Sequence, residues 1–164
     1  MHEAAGPALL VWLESSAFAA AMRQWLWLYP GVEVAHITGI ALLVGSVALF
    51  DLRVLGFSPT LPVRRLARHL LPWAWAGFAI VAASGAMMFA AHATEFFRNP
   101  AFAVKVALIG AAGINALWFH LGPMRAAMHW DSGARAPRTA RIAAAGSLAL
   151  WLGVIACGRL IAYL

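Results

Sequence analysis

The run Pro30-Gly31-Val32-Glu33-Val34-Ala35-His36-Ile37-Thr38-Gly39-Ile40-Ala41-Leu42-Leu43-Val44-Gly45-Ser46-Val47-Ala48-Leu49-Phe50 decides the fold. A helix that crosses the hydrocarbon core of a bilayer needs roughly 20 mostly apolar residues, and this run meets that length with Glu33 and His36 as its ionisable members. Three further stretches have the same character: Leu71 to Ala91, Phe102 to Leu121 and Thr139 to Gly158. They are continuous in apolarity and rich in Leu, Ala and Gly, so they read as helices, whose backbone groups are all paired within the segment. The expected fold class is all-α: an integral membrane four-helix bundle, one transmembrane domain over residues 1–164. Its spans are expected at about 30–54, 66–92, 100–121 and 138–162.

Composition agrees. Of 164 residues, 63% are hydrophobic and 11% charged, and the mean hydropathy is +0.80. A soluble domain carries about 45–50% apolar and about 25% charged residues. The net charge of +6 does not describe a nucleic-acid surface, because eight of the twelve basic residues fall in two loops. Arg53, Arg64, Arg65 and Arg68 flank the first loop; Arg125, Arg135, Arg138 and Arg141 flank the second. Basic loops stay on the cytoplasmic side. The expected location is the bacterial inner membrane, multi-pass, with both termini periplasmic.

The stretch before Pro30 reads as an interfacial amphipathic helix over about 8–29. Glu14 and Arg23 argue against a further buried span, and Trp12, Trp25, Trp27 and Tyr29 suit a membrane boundary. Met1-His2-Glu3 lacks the positive region of a cleavable signal. Ser15 and Ser16 suit a cap. Tyr29-Pro30-Gly31 and Asn99-Pro100 read as openings of spans, and Gly122-Pro123 as an end. Asp131-Ser132-Gly133 and Pro137 read as a flexible second loop. Small residues such as Gly77 with Ser84 suit close helix packing or room for a flat cofactor. Cys157 stands alone, so no intramolecular disulfide forms.

Ionisable side chains at membrane depth are functional-site candidates. On a helical wheel, Glu33, His36, Ile40, Val44, Val47 and Asp51 share a stripe expected to face the bundle. The outer level collects Glu33, His36, His92, Lys105 and Arg159; the inner level collects Asp51, His69 and His120, near Arg53 and Arg68. Imidazoles ligate haem iron and cationic groups hold its propionates. The leading expectation is therefore a haem-b-binding protein with a role in transmembrane or quinol-linked electron transfer. His36 and His120 are the leading ligands, His92 and His69 their same-level partners, and Glu33, Lys105 and Arg159 the groups that tune or anchor the outer site. His69 and His92 are about 34 Å apart along one helix, which puts any such haems at the membrane rims; one haem, bound by His36 or His120 with a non-histidine or symmetry-related partner, fits almost as well.

Other readings use the same residues. They are a non-redox accessory subunit within a homo-oligomer or larger membrane complex, a small transporter or proton path through Glu33, His36 and Asp51, and a copper site at Met87, Met88 and His92. His-Glu-x-x-His, a nucleophile elbow and a phosphate loop are all missing from the sequence, so an electron carrier or accessory subunit is favoured over an enzyme. Expected partners are the bilayer, a quinol and a periplasmic redox protein, not nucleic acid.

Six strings carry a resemblance: Trp27-Leu28-Tyr29-Pro30, His36 through Gly45, Asp51-Leu52-Arg53, Asn99-Pro100-Ala101-Phe102, Asn115-Ala116-Leu117 with Phe119-His120, and Gly158-Arg159-Leu160-Ile161-Ala162-Tyr163. On these strings the chain resembles a family of small bacterial four-helix inner-membrane proteins of unknown function. The resemblance covers nearly the whole chain and implies the four-helix architecture, with family positions at His36 and His120. Its similarity to membrane b-type cytochromes is one of architecture.

Overall fold

A computed structural model describes residues 6–163; His2 lies outside the described residues. Two short helices, α1 (Ala8–Glu14) and α2 (Ala17–Gln24), lead into α3 (Leu28–Leu55) and α4 (Val63–Ala91). The six-residue α5 (Ala93–Arg98) is followed by α6 (Pro100–Leu121), a 3-10 turn at Pro123–His129, and α7 (Arg138–Leu160). The fold is all-α, with four membrane-length helices packed as a bundle behind short N-terminal helices. Their apolar surface points outward: only 11–28% of each apolar span is buried within the protein. Ile114 is 71% and Ile142 67% exposed. Each large aliphatic left in water forgoes about 1.5–3 kcal/mol of burial, so these faces require lipid.

Local chemistry sets the ends. The α3 helix begins at Leu28, which puts Pro30 inside its first turn, where the missing N–H costs nothing. Gly56, at φ 116°, closes it in the left-handed conformation that suits glycine. Asn99 caps α6, its Oδ1 accepting from the amides of Ala101 (2.9 Å) and Phe102 (3.3 Å), with Pro100 in the first turn. Gly122-Pro123 ends that helix.

The N-terminal interfacial segment is broken into two helices rather than one over 8–29. Ser15 and Ser16 interrupt it, and Ser16 Oγ accepts from the Ala19 amide to start α2. The pair lies across the end of the bundle farthest from the basic loops. Arg23 donates to the Ala91 carbonyl (2.7 Å), and Glu14 Oε2 accepts from the Thr94 amide (3.0 Å) and hydroxyl (2.6 Å). Those bonds hold the Glu14 carboxyl below its ordinary value near 4.5, side-chain bond first. Met22 and Ala19 are fully buried beneath this strap.

The basic end is locked, which corrects the expectation of a flexible second loop. Arg53 is 2% exposed. Its Nε donates to the Leu61 carbonyl (2.6 Å), and its Nη2 to the carbonyls of Pro59 (2.9 Å) and Asp131 (3.1 Å). Asp131 Oδ1 in turn accepts from the Arg64 amide (2.8 Å) at the start of α4. The two loops thus share one buried guanidinium, and Trp130 and Ala136 seal the cluster.

The helices pair as hairpins, α3 with α4 and α6 with α7, and the hairpins meet through α3 and α7. No Cα of α6 comes within 8 Å of one in α3 or α4 among the described residues. Side chains bridge this gap at both ends, Phe50 against Phe119 at the basic end and Phe89 against Phe102 at the far end. A space remains between α6 and the first hairpin.

Candidate functional site

The face of α3 that packs inward is rotated from the expected stripe. Val32, Gly39, Leu43, Ser46 and Phe50 are buried, along with Asp51, while Glu33 is exposed. The cause is the glycine contact between α3 and α4: a Cβ at Gly77 would lie 2.9 Å from the Gly39 carbonyl oxygen and 2.6 Å from the Leu43 nitrogen. Bare backbones can approach this closely, and that contact fixes which face of α3 turns inward.

His36 sits on the edge of this interface, half-buried, with Nδ1 2.9 Å from Ser84 Oγ. The Ser84 hydroxyl spends its hydrogen on the Ile80 carbonyl at 2.5 Å. Ser84 therefore accepts, Nδ1 carries the proton, and the lone pair is on Nε2. Gly85 leaves room for the ring, since a Cβ there would lie 3.2 Å from His36 Cε1. Lys105 projects from α6 beside Gly158, where a Cβ would stand 3.6 Å from its Nζ. Among the described residues its ammonium has no hydrogen-bond or ion-pair partner.

The other outer residues are not gathered around His36. His92 terminates α4, contacts Glu95 Oε2 at 3.5 Å and packs edge-on against Tyr29. Tyr29 precedes His36 by seven residues, about 10 Å along the helix, so His92 belongs to a level nearer the rim. Arg159 donates to the Tyr163 hydroxyl and stacks over its ring, 4.9 Å from the centroid. Glu33 forms no ion pair among the described residues, and His36 bonds Ser84 instead of Glu33. Met87 and Met88 pack against the Met22–Val32–Ala91 cluster, and no group of three metal-binding His, Cys, Asp or Glu side chains occurs among the described residues.

At the basic end, the space beside α6 opens into a cleft of about 640 Å³ between α4 and α6, floored by α3 and α7. Trp75 and Phe78 form one lip, Leu117 the other, and Trp151 lies in the floor. Asp51 lines it and is 6% exposed. Ser147 also lines the cleft, and Asp51 Oδ2 has no hydrogen-bond partner among the described residues. Leaving a buried polar atom unpaired costs about 1–3 kcal/mol, so this oxygen needs an explanation. Asn115 also lines the cleft; its Nδ2 donates to the Ala143 carbonyl (3.0 Å) and its Oδ1 has no donor among the described residues. His120 lines it too, exposed, with Nδ1 donating to the Ala116 carbonyl (2.8 Å), which again leaves the lone pair on Nε2. His69 is exposed on α4 and does not line the cleft. Arg53, expected near an inner propionate, is consumed by carbonyls.

Sequence reading took Ser84 for a small packing residue and missed Ser147 and the cleft tryptophans Trp75 and Trp151. Ser84 carries a signal, a hydroxyl one helical face from Gly77 in an otherwise apolar run. Ser147 offers little more than its polarity among alanines and leucines.

Fold and site together describe a multi-pass α-helical membrane protein with polar groups at two depths. The chain belongs to the family of unknown function DUF6644, whose profile matches residues 9–164. No curated protein and no solved structure matches it.

Proposed function

We propose that the protein is a haem-b-binding electron carrier of the bacterial inner membrane, in which His36 would hold the haem iron. The observation that carries this reading is the 2.9 Å contact between His36 Nδ1 and Ser84 Oγ. Metal-ligating histidines donate their second ring N–H to a partner that sets ring orientation, and Ser84 takes that part here. Lys105 on α6, without a hydrogen-bond or ion-pair partner among the described residues, suits a propionate. A positive-inside orientation puts the His36 level toward the periplasm, with both termini on that side. Electrons then pass from a membrane donor, a quinol, through the bundle to a periplasmic redox partner.

His120 has the same pre-set Nε2, but it belongs to a cleft lined with acceptors, and we assign it there. Fifteen residues of α3 separate His36 from Asp51, about 22 Å along the axis, so the two histidines serve different sites. The test is the absorption spectrum of protein expressed with ample haem. His36→Ala should abolish the Soret band, while His120→Ala should retain it.

A further inference from the structure

We propose that the cleft between α4 and α6 binds a quinol-class ligand from the membrane, a ring with two hydroxyl groups on an apolar tail, which donates hydrogen bonds to Asp51 and its neighbours. This goes beyond the haem reading and stands without it. Three observations define the ligand. The cleft opens sideways between two helices whose exposed faces require lipid, so its occupant arrives through the bilayer. Its volume, about 640 Å³, lies within the usual 300–1,000 Å³ of small-molecule sites, and its walls are mostly apolar.

The third observation is the sign of the hydrogen bonding. Among the described residues, Asp51 Oδ2 is buried without a partner, Asn115 Oδ1 has no donor, and His120 Nε2 makes no hydrogen bond while Nδ1 is held by the Ala116 carbonyl. The Asn115 oxygen accepts, as do Asp51 Oδ2 in the carboxylate form and His120 Nε2 in the neutral imidazole. Hydroxyls of Ser46 and Ser147 also line the cleft and can turn either way. A site of unshared acceptors is complementary to a ligand that brings donors. A quinol brings two, and the oxidised quinone brings none. A phospholipid ester or a sterile hydrocarbon tail fills the volume but leaves Asp51 unpaired.

The test uses full-length protein in detergent and a decyl-substituted benzoquinol, held reduced, beside its oxidised benzoquinone. Trp75 and Trp151 line the cleft, so intrinsic fluorescence reports occupancy. Saturable binding of the quinol is expected, at least about tenfold weaker for the quinone, because lost donors leave buried acceptors unpaired. Asp51→Leu should weaken quinol binding at least about tenfold. Ala116→Trp, which narrows the exposed mouth and leaves every acceptor in place, should abolish saturation. Helical circular dichroism verifies folding; if Asp51→Leu does not fold, Ala116→Trp and the quinol-to-quinone ratio decide. Equal affinity for quinol and quinone, or a linear, partition-like response unchanged in Ala116→Trp, would overturn the proposal. The binding curve of the cleft and the Soret band are separate readouts, so failure of one proposal is distinguishable from failure of the other.

Discussion

Gly39 and Gly77 hold the backbones of α3 and α4 in direct contact, with a Cβ at Gly77 placed 2.9 Å from the Gly39 carbonyl oxygen and 2.6 Å from the Leu43 nitrogen. This contact sets the rotation of α3, and through it the side on which His36 and Asp51 lie. Gly77→Ala should therefore push the hairpin apart at a cost of about 1–3 kcal/mol, the usual range for overpacking. Gly110→Ala, where nothing stands within 4 Å, should be close to neutral. Thermal unfolding in detergent compares the two.

Arg53 joins both basic loops through three backbone carbonyls. Arg53→Ala leaves buried acceptors unsatisfied and should cost about 3 kcal/mol. Arg53→Lys should recover only part of this, because a single ammonium cannot reproduce the planar fork. Limited proteolysis should cut near Asp131 in the alanine variant and not in the wild type.

The N-terminal strap should respond to acid. The folded-state value of Glu14 lies below its unfolded value near 4.5, chiefly through the Thr94 hydroxyl and then its amide. A lowered carboxyl stabilises the docked state above the unfolded value, and that contribution is lost as pH falls through the folded one. Docking of α1 and α2 should accordingly hold at neutral pH and loosen below about pH 4.5. Fluorescence of Trp12 and Trp25 follows it, and Glu14→Gln should remove the pH dependence.

The proposed orientation is testable by thiol labelling of intact cells in a Cys157→Ser background. Glu95→Cys and Arg135→Cys place exposed thiols at opposite ends of the bundle. An impermeant reagent should reach position 95 directly and position 135 only after permeabilisation. The reverse pattern would invert the assignment of both termini.

The spans were readable because length and continuous apolarity act locally: Pro30–Phe50 needs no knowledge of its neighbours to be recognised as membrane-spanning. Asn99-Pro100 and Gly122-Pro123 were equally local and mark helix ends as expected. What escaped depends on distant parts of the chain. His36 meets Ser84, 48 residues away, and not Glu33 one turn away, because the Gly39–Gly77 contact rotates the helix. Asp131 reads as part of a flexible loop, yet its carbonyl accepts from Arg53, 78 residues away. The cleft arises because α6 leans on α7 and stands off from α4, a relation no single segment encodes.

The account rests most directly on His36, and the absorption spectrum of the purified, dithionite-reduced protein tests it. Wild type and His120→Ala should show the Soret and α bands of a b-type haem, and His36→Ala should show neither. No Soret band in wild-type protein expressed with ample haem, or a full band retained by folded His36→Ala, would contradict it.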